Sequence, residues 1–244
     1  MKPLEAKSLK EGFIERFEEL ILLGRFKSGE KLPSERELAR MLEVSRPVVH
    51  EGLVELAAKG LVTIIARRGT VVNDFRYEGS VEVLNSLLRY GAGELKPEIL
   101  NGMLEMRMLF ESETARLAAL RRDEEELNRL EEALREEERV FGNTESRRRE
   151  IAEADYRFHH AVAMAGGNIV YPMLINSFKT LYMNVLHRFY RHGIDLRPIL
   201  ENHRLIVEGI RGGDVKEAES QMRRLLRESA EKLNRVLVQE DEND

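Results

Sequence analysis

Asp155 and His159 stand four residues apart in EADYRFHHAVAMAGGN, the spacing at which a carboxylate and an imidazole on one helix face can grip the same metal ion. His203, in PILENHRLIVEGIRGGD, is a third candidate ligand from a later segment. One carboxylate and two imidazoles suit zinc, nickel or manganese. The 244 residues include no cysteine, so disulfides, thiolate metal sites and cysteine nucleophiles are excluded. Spacing alone leaves a plainer reading open, in which Asp155 and His159 form a helical ion pair and His203 is an ordinary core or surface histidine. In EMRMLFESETARLAAL, Arg107 lies within two turns of Glu105 and Glu111, again the pattern of an ordinary ion pair.

A second constellation is suited to nucleic acid. In FKSGEKLPSERELARMLEVSRPVVHEGLVELAAKGLV, Ser34 is an N-cap with Glu37 at the capping-box position, and a short helix follows to Leu42. After a tight connection through Glu43 and Val44, Ser45 caps the next helix, with Pro47 in its first turn where a missing N–H costs nothing. Two helices joined by so short a turn make a helix-turn-helix. The second presents Ser45, Arg46 and His50 at its start, where a recognition helix meets the major groove. Ser34 and Arg36 stand at the preceding N-terminus, where backbone amides favour phosphate. LVTIIARRGTVV then reads as a hairpin wing, with Arg67 and Arg68 aimed at a minor groove and Gly69 allowing close approach. Solvated surface charge would explain each residue singly; the ordered set points to double-stranded DNA.

These residues need two kinds of scaffold. Residues 1–76 are expected to form the winged helix-turn-helix, with 74–80 as linker. Residues 77–240 carry long helical periodicities at about 80–90, 97–121, 123–142, 146–166, 168–191, 198–212 and 214–238, and no convincing strand. The expected class is therefore mainly α, a winged helix-turn-helix with a short β-hairpin followed by an all-α bundle. The first 76 residues carry 14 basic against 12 acidic side chains and the remainder 25 against 32, so the acidic total of −5 hides a mildly basic N-terminal third. MKPLEAKSLKEGF has no signal-peptide apolar region, and no apolar run approaches the roughly 18 residues of a membrane span. A cytoplasmic protein without membrane contact is the expectation.

The stretch GEKLPSERELARMLEVSRPVVHEGLVELAAKGLV with ARRGTVV closely resembles the winged helix of GntR-family transcription regulators. That resemblance implies that Arg36, Arg46 and the wing around Gly69 contact operator DNA and that Ser34 and Ser45 hold phosphates. The family usually has Arg where His50 stands and Ala where Gly52 stands. Downstream, E-x-R-x-x-x-E, D-x-x-F-H, E-x-H-x-x-I and a terminal G-D-x-x-x-A helix resemble the FCD ligand-binding domain of the FadR subfamily. The resemblance implies a divalent metal on Asp155, His159, His203 and a fourth ligand at position 225, where this chain has Leu225. Either three ligands hold the metal with water and an effector carboxylate, or the pocket takes a larger acyl ligand without metal; His160 and His187 could compensate only if they faced it. Arg107 is then a candidate to pair with an anionic effector through its planar fork.

The expected function is a homodimeric regulator, a repressor by family habit, whose operator affinity responds to a small anionic metabolite. Two competing readings are a metalloenzyme at Asp155, His159 and His203, and a DNA-architectural module whose helical half only dimerises.

Overall fold

Ser8 and Ser34 each exchange hydrogen bonds with the glutamate three residues on, and these two capping boxes start the first two helices, α1 (Leu9–Leu22) and α2 (Glu35–Met41). The computed structural model describes residues 8–90, 97–143, 148–190 and 194–241. Glu43 adopts a positive φ of 52° to turn the chain into α3 (Arg46–Ala58), with Pro47 in its first turn. Phe13, Phe17 and Ile21 of α1 pack with Leu38 of α2 and Val49, Leu53 and Leu56 of α3 in one buried cluster. Strands β1 (Val62–Ile65) and β2 (Gly69–Val72) pair antiparallel with Val62 opposite Val72, forming the expected wing.

Gly52 is explained by packing. A Cβ there would lie 2.3 Å from the Phe13 ring, which itself stacks on Phe17 at 4.5 Å. The glycine lets α1 approach α3, and that contact offsets its poor helix propensity.

The expected linker is folded. Residues Phe75–Glu78 form a helical turn, α4, capped by Asp74, and the Ser80 amide donates to the Lys59 carbonyl at 2.9 Å. Helix α5 (Val81–Tyr90) packs on α1, with Val83 in the same apolar cluster. Ser86 donates to Glu18 at 3.1 Å, and Glu18, fully buried, also takes Lys59 at 2.6 Å. Packing therefore divides the chain between α5 and the next helix rather than at 76/77.

The second unit is all helix among its described residues: α6 (Pro97–Arg121), α7 (Glu124–Gly142), α8 (Arg148–Ala165), α9 (Val170–Ser177), α10 (Lys179–Phe189), α11 (Arg197–Gly212) and α12 (Val215–Asp241). α6 and α11 pack on α12, while α8 packs on α6 and α7. Leu130, Phe158, Val162, Ile206, Ile210 and Met222 are fully enclosed. The single helix expected over 168–191 is two, because the Phe178 amide is shared between the carbonyls of Leu174 and Ile175 and tightens the last turn of α9. No helix among the described residues is long and apolar enough to cross a membrane.

Replacing Gly52 by Ala should lower stability by about 1–2 kcal/mol despite the gain in helix propensity, because the added methyl overpacks against Phe13. Thermal melts would show a lower Tm, recovered by pairing the change with Phe13→Leu. A Tm raised by Gly52→Ala alone would contradict the packing argument.

Candidate DNA-binding surface and metal centre

In the first unit the DNA-facing candidates are distributed over α2, α3 and the wing. Arg36 and Arg46, at the starts of α2 and α3, are exposed. Ser45 occupies the N-cap of α3 but makes no side-chain capping bond, so its hydroxyl is available to a phosphate oxygen. Ser34 differs: its hydroxyl donates to Glu37 at 2.7 Å and accepts the Glu37 amide, so its capping role occupies the group proposed for phosphate. Glu37 is held below its ordinary pKa, chiefly by the Ser34 hydroxyl and then by the Ser34 backbone amide.

His50 lies on the same side of α3 as Arg46, with Nδ1 2.8 Å from Glu35 of α2. A carboxylate only accepts, so Nδ1 carries the proton and Nε2 is left for another partner. Arg67 and Arg68 are exposed at the hairpin tip, where Arg67 takes φ 61° and Gly69 φ 99°. Lys31 was not anticipated. It bridges to Val71, and its side chain runs so close that a Cβ at Gly69 would meet it at 2.8 Å. The wing therefore has a third cation beside it, hidden in the sequence because the pairing spans some 40 residues.

In the second unit, α8 supplies Asp155 and His159 and α11 supplies His203, all buried, with one ligand atom from each within 4.8 Å of the others. Two glutamates orient the imidazoles. His203 Nδ1 donates to Glu137 of α7 at 2.7 Å, which leaves Nε2 as the free lone pair. His159 Nδ1 lies 2.7 Å from Glu111 of α6, a close electrostatic contact outside hydrogen-bond angles. Tyr190 donates to one oxygen of Asp155 at 2.6 Å. Asp155 Oδ1 and His203 Nε2 are left buried without hydrogen-bond partners, as is Glu137 Oε1 behind His203. A carboxylate, a second imidazole and orienting carboxylates behind the histidines form a donor set that fits a divalent cation.

Burial and neighbouring charge shift several of these groups. Burial disfavours ionised Glu111, yet Arg107 and His159 together hold its pKa at about 2. Burial also opposes the His203 imidazolium, but Glu137 outweighs it and raises the pKa. Glu137 is itself raised, first by burial, so this pair shares a proton. Burial pushes the phenols of Tyr182 and Tyr190 well above their ordinary range and keeps both as donors.

Arg107 makes the ion pair that its spacing suggests. It forks onto Glu111 at 2.7 and 3.2 Å, and it also lines a nearly closed cavity with Asp155 and His159. The remaining wall is mostly apolar, including Val185, Phe189 and Leu225, and the space holds little more than a water or an ion. Leu225 thus faces the site and offers it no ligand atom. His160 and His187 do not compensate: the first lines a different cleft and the second is exposed. Glu137 and Tyr190 were missed. Glu137 had a readable signal, since it interrupts the apolar stripe of Leu130, Leu134 and Phe141 on α7 with a carboxylate.

Comparison with known proteins gives the same two halves. Residues 9–72 match the model described as "Bacterial regulatory proteins, gntR family", and residues 102–228 match the FCD domain. The HTH-type transcriptional regulator Mce2R of Mycobacterium tuberculosis is 31% identical over 98% of this chain and 97% of its own length. The fatty acid metabolism regulator protein of Proteus mirabilis is 30% identical over 77% of this chain and 75% of its own. The structure of Streptococcus agalactiae GntR superposes with a TM-score of 0.51 at 24% identity, covering 91% of this chain and 99% of that one, a likeness of fold.

Replacing Arg46 by Ala should cost about 1–3 kcal/mol of binding to a duplex selected from random sequence, and little on a scrambled duplex, if the guanidinium reads a base edge. Fluorescence anisotropy on the two duplexes distinguishes this from an equal loss on both, which would reduce Arg46 to a phosphate contact.

Proposed function

This chain belongs to the GntR family of bacterial regulatory proteins and carries an FCD domain, and from that premise we propose a homodimeric repressor whose operator affinity is set by a small carboxylate metabolite bound beside a divalent metal. Its relatives are transcription regulators, so the protein is a regulator and not an enzyme, and the metalloenzyme reading falls away.

The observation that carries the metal reading is the pair of buried, unpartnered atoms, Asp155 Oδ1 and His203 Nε2, beside a histidine backed by Glu111. Asp155, His159 and His203 would hold the ion, and the ion would supply a Lewis-acid anchor for a carboxylate oxygen. Three protein ligands leave coordination positions open, consistent with an effector or water where Leu225 offers nothing. Arg107, on the same cavity wall with its fork held by Glu111, adds a fixed positive charge near the effector's second oxygen. Because the cavity holds little more than a water or an ion, an effector must displace side chains to enter. The free energy of that rearrangement is what ligand binding can couple to DNA affinity.

Dimerisation follows from the reading head: one recognition helix spans too few base pairs, and a two-fold pair matches a palindromic site. On the DNA side we assign Arg46 and His50 to base edges, Ser45, Arg36 and Ser34 to phosphates, and Arg67, Arg68 and Gly69 to the wing contact. Ser34 would contribute mainly by ordering the α2 N-terminus, since its hydroxyl is engaged by Glu37.

A second reading has its own support. Leu225 and the apolar wall suit an acyl chain, and one relative is named a fatty acid metabolism regulator. Operator binding by metal-loaded and metal-stripped full-length protein, measured with short hydroxy- and dicarboxylates and with acyl thioesters, separates the two. We expect a short carboxylate to weaken binding about 5- to 150-fold in the loaded protein only. A response confined to acyl ligands, and equal without metal, would overturn the carboxylate reading.

A further inference from the structure

α8 carries the metal-centre residues on one face and lines a separate, more open cleft on another, through Tyr156, Arg157, His160 and Met164. α7 adds Glu126 to this cleft and α10 adds Lys179. Nothing in the proposed regulation uses it.

Three groups in the cleft keep polar capacity in reserve. Glu126 has one oxygen on Arg129 at 2.6 Å, while Oε2 is buried with no hydrogen bond. His160 Nε2 is likewise buried and unpartnered. Burial, followed by the charge of Lys179, lowers the His160 pKa, so the ring is neutral at pH 7; the Pro172 carbonyl takes its N–H, and Nε2 is an acceptor. Lys179 has no carboxylate within ion-pair reach among the described residues. Its ammonium stands 4.8 Å over the Tyr156 ring. Tyr156 is itself fixed by donating to Asn176 at 2.7 Å and by edge-on contact with Tyr182 at 5.3 Å.

Two buried acceptors therefore ask for a donor, and one held cation asks for an anion. The charge demand is zwitterionic. The two arginines of the cleft do not change that, because Arg157 pairs with Glu136 at 3.1 Å and Arg129 is shared between Glu126 and Glu125. Between these groups the cleft offers Ala161 and a partly exposed Met164 as apolar surface.

We propose that this cleft binds a free α-amino acid with an apolar side chain, its ammonium on Glu126 and His160 and its carboxylate on Lys179. The site is separate from the metal centre, and its occupancy does not depend on a bound metal.

The test is calorimetric titration of the full-length protein with L-leucine and L-methionine, alongside 4-methylpentanoate and isoamylamine, which keep one charge each. Saturable binding of at least one amino acid is expected, with each half-ligand about tenfold weaker, as loss of a charge-assisted contact implies. Lys179→Met and Glu126→Gln should each weaken the amino acid by about the same factor. Stripping metal from the wild-type protein with a chelator should leave binding unchanged. Absence of saturation by about 10 mM for both amino acids, a regime too weak to be a built site, would overturn the proposal. So would half-ligands that bind as well as the whole, variants indistinguishable from wild type, or binding lost when metal is stripped.

Discussion

Buried charge in the helical domain has to be matched on the spot, and that constraint organises everything around α8. Asp155, Glu111 and Glu137 place three carboxylates in an enclosed bundle where an unmatched one would be costly. Arg107 forks onto Glu111, Tyr190 caps one Asp155 oxygen, and His203 shares a proton with Glu137. After these matches, an acceptor oxygen on α8 and an imidazole nitrogen on α11 remain without partners, among candidate ligand atoms within 4.8 Å of one another. A divalent cation would satisfy both, and the proposed receptor for metal and carboxylate rests on these same buried charges.

The DNA-binding unit works by a different economy. Its DNA-facing polar groups stay on the surface, and its precision comes from how tightly the interior fixes helix placement. Gly52 lets Phe13 seat α1 against α3, and the positive φ of Glu43 sets the turn that brings α2 to α3. Glu35 then holds His50 from the neighbouring helix. The buried trio Glu18, Lys59 and Ser86 ties α5 into this unit, which explains why the fold boundary lies beyond the point where the sequence pattern changes.

Much of this was legible in the residues. Capping boxes at Ser8 and Ser34, Pro47 in a first turn, and the hairpin around Arg67 and Arg68 are local signals, set by spacings of a few residues, and the structure realises each of them. Asp155 and His159 were readable from helical spacing, and His203 joined them only through tertiary packing. What stayed hidden is long-range. Lys31 reaches the wing across a strand-like bridge, and α5 turns back onto α1 through a serine that no pattern marks. Glu137 lay between: a carboxylate on an apolar stripe flags a buried partner, but only the fold says that the partner is His203.

Metal affinity by chelator competition, measured on full-length wild type and on Glu137→Gln, bears on the central claim most directly. The account predicts one divalent ion per chain in the wild type. Affinity should be about 10- to 100-fold weaker in the variant, because the amide orients His203 less firmly and leaves its ring less basic. A wild type that takes up no ion when zinc, nickel or manganese is offered, or a variant that binds as tightly as the wild type, would contradict it.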